Sequence, residues 1–332
     1  MTETSAFSHR GERFRIQHLL RYGVFIIFGA LILFFSLRSQ SFFTLSNALL
    51  ILQQAAPLGI AAIGVTFVLV VAGIDISIGQ GMFLVAVLVG TSMEIMKGAG
   101  VLGPLYSFVV IYALAVLVGA LIGSVNGLFV ARFNMIPFLV TLATMGILRG
   151  LALIVEKSRP LYVSELGPVS NGKVCGIPYI VIIFLVLVLM FDHVLRRTPY
   201  GRHLMAIGND LLSAERVGIN VTRNIFIAYL ICGLMTGIGA VLEAGQIQSI
   251  AMNFASGHEF VIISAAVLGG TSLFGGKGTI FPGAIIGICL VTTVFNGMTM
   301  MNASPYAYTI VRGAIIFLAV MADSVNYKGD LR

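Results

Sequence analysis

Long apolar runs alternate with short polar stretches along most of this chain, at 22–37, 57–71, 76–95, 105–130, 136–155, 178–195, 224–242, 259–268, 279–295 and 306–322. A helix needs roughly 20 apolar residues to cross the hydrocarbon core of a bilayer. The pattern therefore predicts an all-α integral membrane protein, a polytopic bundle of about ten transmembrane segments, some of them short or broken. The run 259–268 is too short for a full crossing, so it is either a half-helix or borrows residues from the glycine stretch behind it. The run 76–95 carries Gly79, Gly81 and Gly90 and is a second candidate for a break. Irregular backbone inside a membrane survives only where protein or water covers it, so both places point to the lining of a pathway.

The longest polar interruption, residues 196–223, carries Arg196, Arg197, Arg202, Arg216 and Arg223 against Asp210 and Glu215. A loop with that excess of arginine is expected to stay in the cytoplasm, as is the amino-terminal stretch with Arg10, Arg13, Arg15 and Arg21. The even number of runs between the two clusters agrees with a common side. The expected division is a cytoplasmic segment 1–21, one transmembrane domain 22–323 and a cytoplasmic tail 324–332, with the loops 156–173 and 245–258 outside. Within the arginine loop, Asn209 and Asp210 precede a short run, 211–217, which Gly218 and Asn220 close. That order predicts a small capped helix with a glycine stop, either a connector lying on the membrane or an element with a partner.

Composition narrows the class further. Hydrophobic residues make up 58% of the 332 and charged residues 10%, where a soluble domain has roughly 25% charged. The net charge of +7 is scattered over loop ends and forms no basic stripe, so it reads as topology and excludes a nucleic-acid partner. Cys175, Cys232 and Cys289 lack metal or disulfide spacing, and the five histidines fall in or beside polar segments. No metal site is expected. The stretch from Gly269 to Thr279 superficially looks like a phosphate loop, but Thr271 and Gly278 stand where the motif needs glycine and a hydroxyl. It is expected to form a tight turn between two membrane segments, and no cofactor is expected on this chain.

Glycines recur at helical spacing, at Gly119, Gly123 and Gly127, at Gly146 and Gly150, at Gly233 and Gly237, and at Gly283 and Gly287. Small residues four apart let helix backbones approach closely in lipid. Among polar groups, Asp75 lies between two apolar runs and is either a pathway residue or, with Ser77, the cap of the next helix. Arg149 and Arg312 raise the same question, with snorkelling to the interface as their expected behaviour. Asn126, Thr141, Thr144, Gln246 and Asn296 complete the candidate pathway groups, each of them equally able to serve as a hydrogen bond between helices.

Five motifs occur in order: Gly73 to Gly79 (GIDISIG), Ile136 to Gly150 (IPFLVTLATMGILRG), Tyr200-Gly-Arg with Ala206 to Asn209 and Val217 to Val221, Val267 to Gly278 (VLGGTSLFGGKG), and Arg312-Gly-Ala-Ile-Ile. Through them the chain, from about Arg15 to Asp323, resembles the permease subunits of ribose- and galactose-type bacterial sugar ABC importers. It departs from that pattern at Ala72, where a second glycine is usual, at Asn209-Asp210, where Gly-Asn is usual, and at Val261, near which the family carries an acid. The chain either lacks that acid or uses Glu259 instead, so the resemblance carries over neither its role nor its position.

The resemblance implies two permease subunits around a central sugar pathway, a cytoplasmic ATP-binding subunit that holds the ATP, and a periplasmic sugar-binding protein. It also implies a multi-pass location in the bacterial inner membrane, in contact with lipid, and a coupling helix in the arginine loop. Arg202, Asn209, Asp210, Ser213, Glu215 and Gly218 are then the expected contacts to the ATPase. A secondary transporter or channel for a small polar solute fits the hydropathy as well. It would need paired intramembrane charges or a filter sequence. A membrane-embedded enzyme has the least support, because no nucleophile–base or metal constellation is present.

Overall fold

The computed structural model describes residues 25–100, 104–157 and 159–330. The expected amino-terminal segment 1–21 lies outside them. The helices in chain order are α1 (Phe25–Arg38), α2 (Leu45–Val70), α3 (Ile78–Gly98), α4 (Pro104–Arg132), α5 (Pro137–Glu156), α6 (Gly167–Asn171) and α7 (Tyr179–Arg197). They continue with α8 (Pro199–Asn209), α9 (Leu211–Arg216), α10 (Val221–Ile247), α11 (His258–Leu268), α12 (Ile285–Met300) and α13 (Pro305–Asp330). Eight of the described helices are long and apolar enough to cross a membrane, and α1 and α11 are shorter apolar helices. Each of the ten apolar runs thus has its helix, and α2 begins well before the run at 57–71, with Pro57 inside it.

Local chemistry sets the helix starts. The Thr44 hydroxyl accepts from the Asn47 N–H at 3.2 Å and opens α2. Pro137 occupies the first turn of α5, where its missing N–H costs no helical bond. Asn220 accepts from the Arg223 N–H at 2.9 Å to start α10.

Packing is tightest between α4 and α10. A Cβ at Gly119 would come within 2.9 Å of the Gly237 Cα, and one at Gly233 within 2.8 Å of the Gly123 Cα. The two backbones touch with no side chain between them, as the glycine spacing predicts. Gly283 and Gly287 play the same part against Gly269 and the Ala265 carbonyl, seating α12 on α11. Gly146 and Gly150 do not: among the described residues, nothing outside their own stretch of α5 lies within 4 Å of a Cβ at either.

The bundle has two distinct ends. At one, short antiparallel pairs (Leu161–Tyr162 with Ser249–Ile250, and Lys173–Val174 with Ile177–Pro178) cover the helix ends together with α6. At the other lie α8 and α9, the carboxyl end of α2 and the turn from Gly269 to Thr279, in which Gly270, Gly275 and Gly276 all have positive φ. This is the tight turn expected between two membrane segments.

The break expected inside 76–95 falls elsewhere. Helix α3 is continuous, and the chain is non-helical before it, from Val71 to Ser77. A break needs a residue that leaves the helical φ/ψ region, and Ala72 does so at φ 56°, whereas Gly79, Gly81 and Gly90 are places of close approach to Glu259, Thr236 and Leu161. Helix α11 has 11 residues and follows a second non-helical approach through 248–257.

Candidate functional site

Two groups of residues stand out, one inside the bundle and one at the end that carries α8 and α9. The inner group forms on the non-helical stretch ahead of α3. The Asp75 carboxylate accepts from the Ser77 N–H at 2.9 Å and from the Ser77 hydroxyl at 2.6 Å, and Asp75 is buried. Asn126 of α4 donates to the Ser77 hydroxyl oxygen at 2.9 Å, and the Thr144 hydroxyl of α5 donates to the Asn126 side-chain oxygen at 2.7 Å. Thr141 and Tyr229 both reach the Ile74 carbonyl at 3.3 Å, from α5 and α10. Three helices, α4, α5 and α10, are therefore tied through one seven-residue stretch whose own backbone has no helix to satisfy it.

Four of the six candidate pathway residues, Asp75, Asn126, Thr141 and Thr144, meet here. Gln246 does not: it donates to the Gln53 carbonyl at 2.9 Å, at the end covered by α6. Asn296 is buried on α12, its side-chain oxygen without a hydrogen-bond partner. The two arginines expected to snorkel each make one hydrogen bond within the bundle. Arg149 turns to the Gln80 side chain at 3.4 Å, and Arg312 donates to the Ser256 carbonyl at 2.9 Å while lying 5.9 Å from the Phe295 ring centroid. Tyr229 and Gln80 were not among the candidates, since each sits in an apolar or glycine-rich context that reads as packing.

At the other site, the capped helix predicted in the arginine loop is α9. Asp210 accepts from the Ser213 N–H at 3.1 Å and from its hydroxyl at 2.7 Å, and Gly218 closes the turn at φ 84°. These Ser213 hydrogen bonds, with the Arg216 charge nearby, hold the Asp210 carboxyl below the usual carboxylate range. Leu211, Leu212 and Val217 are all exposed on this short element, as are Arg202, Asn209 and Glu215. Helix α8 anchors it. Thr198 caps the first turn, and Tyr200 stacks on Phe67 of α2 with its hydroxyl on the Asn224 carbonyl at 3.3 Å. Burial pushes the Tyr200 phenol up from its ordinary range, so it stays neutral.

The carboxyl end of α8 joins this element to the core. Gly208 lies against the Val70 carbonyl, and that carbonyl accepts from the Gly276 N–H at 2.9 Å. A Cβ on Gly275 would sit 2.9 Å from the Ala72 N. The same turn is pinned by Asp323 of α13, which accepts from the Leu273 N–H at 2.8 Å. Beyond it, Asp192 of α7 accepts from the Phe281 N–H at 2.9 Å and pairs with Arg196 at 2.9 Å.

The described residues thus form a bundle of membrane-length helices with a broken interior segment, a buried polar hub on it and a surface helix packed against that segment. Residues 47–320 match the family described as the permease component of the branched-chain amino acid transport system, and the chain belongs to that family. Among curated proteins it is similar to the ribose import permease protein of Escherichia coli (strain K12), with 33% identity over 89% of this chain and 90% of that one. It is also 32% identical to the galactose/methyl galactoside import permease protein of Salmonella typhimurium (strain LT2), over 92% of this chain and 94% of the relative. The ribose import permease protein of Haemophilus influenzae is 30% identical over 94% and 95%. No solved structure matches the chain.

Proposed function

We propose that this chain is the membrane-spanning subunit of an ATP-driven importer that moves a monosaccharide delivered by a periplasmic binding protein. The ATP is hydrolysed by a separate cytoplasmic ATP-binding subunit, and a second permease subunit, identical or related, completes the pathway. In this reading the protein resides in the bacterial inner membrane, with α8, α9 and both termini on the cytoplasmic side.

The observation that carries the reading is α9. A capped helix of six residues exposes Leu211, Leu212 and Val217, and α8 joins it to the Val70 end of the broken segment. Three exposed apolar groups on so small an element suit a partner surface. A partner that moves α9 moves the stretch from Val71 to Ser77, and with it Asp75. The ribose and galactose permeases among its relatives support a monosaccharide as cargo.

Deletion of this chain, followed by uptake of labelled monosaccharides one at a time, tests the cargo. Purification of the tagged chain tests the class. A stoichiometric ATPase that the cargo stimulates supports the importer, whereas transport by the chain alone, without ATP, overturns it in favour of a secondary transporter.

A further inference from the structure

Helices α3 and α11 meet end to end inside the bundle, each after its own non-helical approach, 71–77 and 248–257. Gly79, in the first turn of α3, faces the first turn of α11. A Cβ there would clash with the Glu259 carboxylate and lie 3.1 Å from both the Glu259 N and the Ala255 carbonyl oxygen. Glu259 is only 5% exposed, and its Oε2 bonds to nothing. A carboxylate oxygen buried without a hydrogen-bond partner is costly, and the positive end of α3 offsets part of that cost. This arrangement holds only while Gly79 and Glu259 stay together.

The charges facing Glu259 are His258 of its own helix, Arg312 of α13 and Arg149 of α5, none of them within ion-pair distance. On the far side of His258 stands Glu243 of α10, at 3.4 Å from the imidazole Nδ1. Arg149 is exposed and Arg312 half-exposed, and the glycines beside them, Gly146, Gly150 and Gly313, have nothing against them. A guanidinium in the middle of a membrane helix does not face lipid tails. The mouth of the seam therefore opens onto water or onto a further protein chain.

We infer that the seam between the amino ends of α3 and α11 is the gate of the translocation pathway, and that Glu259 is its latch. The inference rests on the importer reading for the word translocation, but not for its geometry. Closed, the carboxylate lies on Gly79. Open, it leaves α3 and takes up Arg149 or Arg312. Glu259 is a positioning residue here, acting on α3 through contact with its first turn.

Cys232 supplies a native reporter, because it is fully buried on α10, one turn from Tyr229, whose hydroxyl reaches the Ile74 carbonyl ahead of α3. In a Cys175→Ser/Cys289→Ser background it is the sole thiol. The full-length chain in membranes is treated with a small, charged methanethiosulfonate reagent, and the rate of Cys232 labelling is read. Glu259→Gln should raise that rate at least about tenfold, and Gly79→Ala, which expels the carboxylate while leaving Glu259 in place, should do the same. Glu259→Asp, which keeps the charge but shortens the reach, should fall between wild type and Gln. Wild-type labelling in both Glu259→Gln and Gly79→Ala overturns the latch, whatever happens to uptake. Should either variant fail to accumulate in the membrane, the other and Glu259→Asp still decide. The measurement needs neither ATP nor sugar, so its failure is separable from failure of the importer reading.

Discussion

Gly208 rests directly on the Val70 carbonyl, leaving no room for a side chain between α8 and the end of α2. The Gly276 N–H bonds to the same oxygen at 2.9 Å, so three segments distant in sequence share one backbone atom. A rigid junction of this kind transmits displacement because close-packed backbone has no slack to absorb it. Gly208→Val should leave the chain in the membrane and the ATPase bound, yet lower uptake per ATP hydrolysed by about tenfold or more. Measuring uptake and hydrolysis in the same vesicles checks it, and a wild-type ratio removes the junction from the coupling route.

Helix α9 supports a second prediction. Ser213 lies in its first turn, so Ser213→Pro removes both capping donors, the N–H and the hydroxyl, without breaking an intrahelical bond, and tests the helix less sharply than proline deeper in a helix would. Asp210→Ala removes the acceptor of both capping bonds and is the better test. Leu212→Asp probes the exposed apolar face without touching the cap. Both should reduce recovery of the ATPase with the tagged chain while leaving its membrane level unchanged.

The pH dependence of that cap follows from its direction. Hydrogen bonds from Ser213 depress the Asp210 pKa, so the stabilisation is complete above the ordinary carboxylate pKa and is lost as pH falls through the lower, folded value. ATPase recovery should be flat across neutral pH and decline only in strong acid. A drop between pH 6 and 8 would point to a different group.

Asp75→Asn should cut uptake by about tenfold with normal insertion. Asn126→Ala and Thr144→Val should act on the same network, with coupling energies of about 0.5–3 kcal/mol in double-mutant cycles. Uptake that stays at the wild-type level in Asp75→Asn leaves Asp75 as a local cap for Ser77.

Ala72 occupies the left-handed region at φ 56°, where its Cβ crowds the following carbonyl at a cost of about 1–2 kcal/mol. Ala72→Gly relieves this but adds freedom to the unfolded chain, for a net gain of up to about 1 kcal/mol. Thermal unfolding in detergent should shift upward, and a downward shift would mean the Ala72 methyl packs usefully against Gly275.

Much of this was legible in the sequence, and the limits have physical causes. Apolar runs located every membrane segment because transfer into lipid depends on composition. Where a segment stops being helical depends on φ/ψ at single residues, so the break at Ala72 was misplaced into the glycine-bearing α3. Asp210 and Gly218 were readable as a cap and a stop because both act within four residues of their partners. The meeting of Ser77, Asn126 and Thr144 was not, since those hydrogen bonds join positions far apart in the chain and no local pattern encodes them. Gly146 and Gly233 look identical in sequence, yet one meets open space and the other a backbone.

The glycine seam between α4 and α10 bears on how such a protein can move. Helices separated by side chains slide as rotamers readjust, but Gly119, Gly123, Gly233 and Gly237 have no rotamers, and their backbones interlock. Relative motion there would have to jump by a whole turn, about 5.4 Å, to find the next register. If the proposed gate opens, α4 and α10 are the fixed pair, and α3 and α11 are the helices that pivot against it.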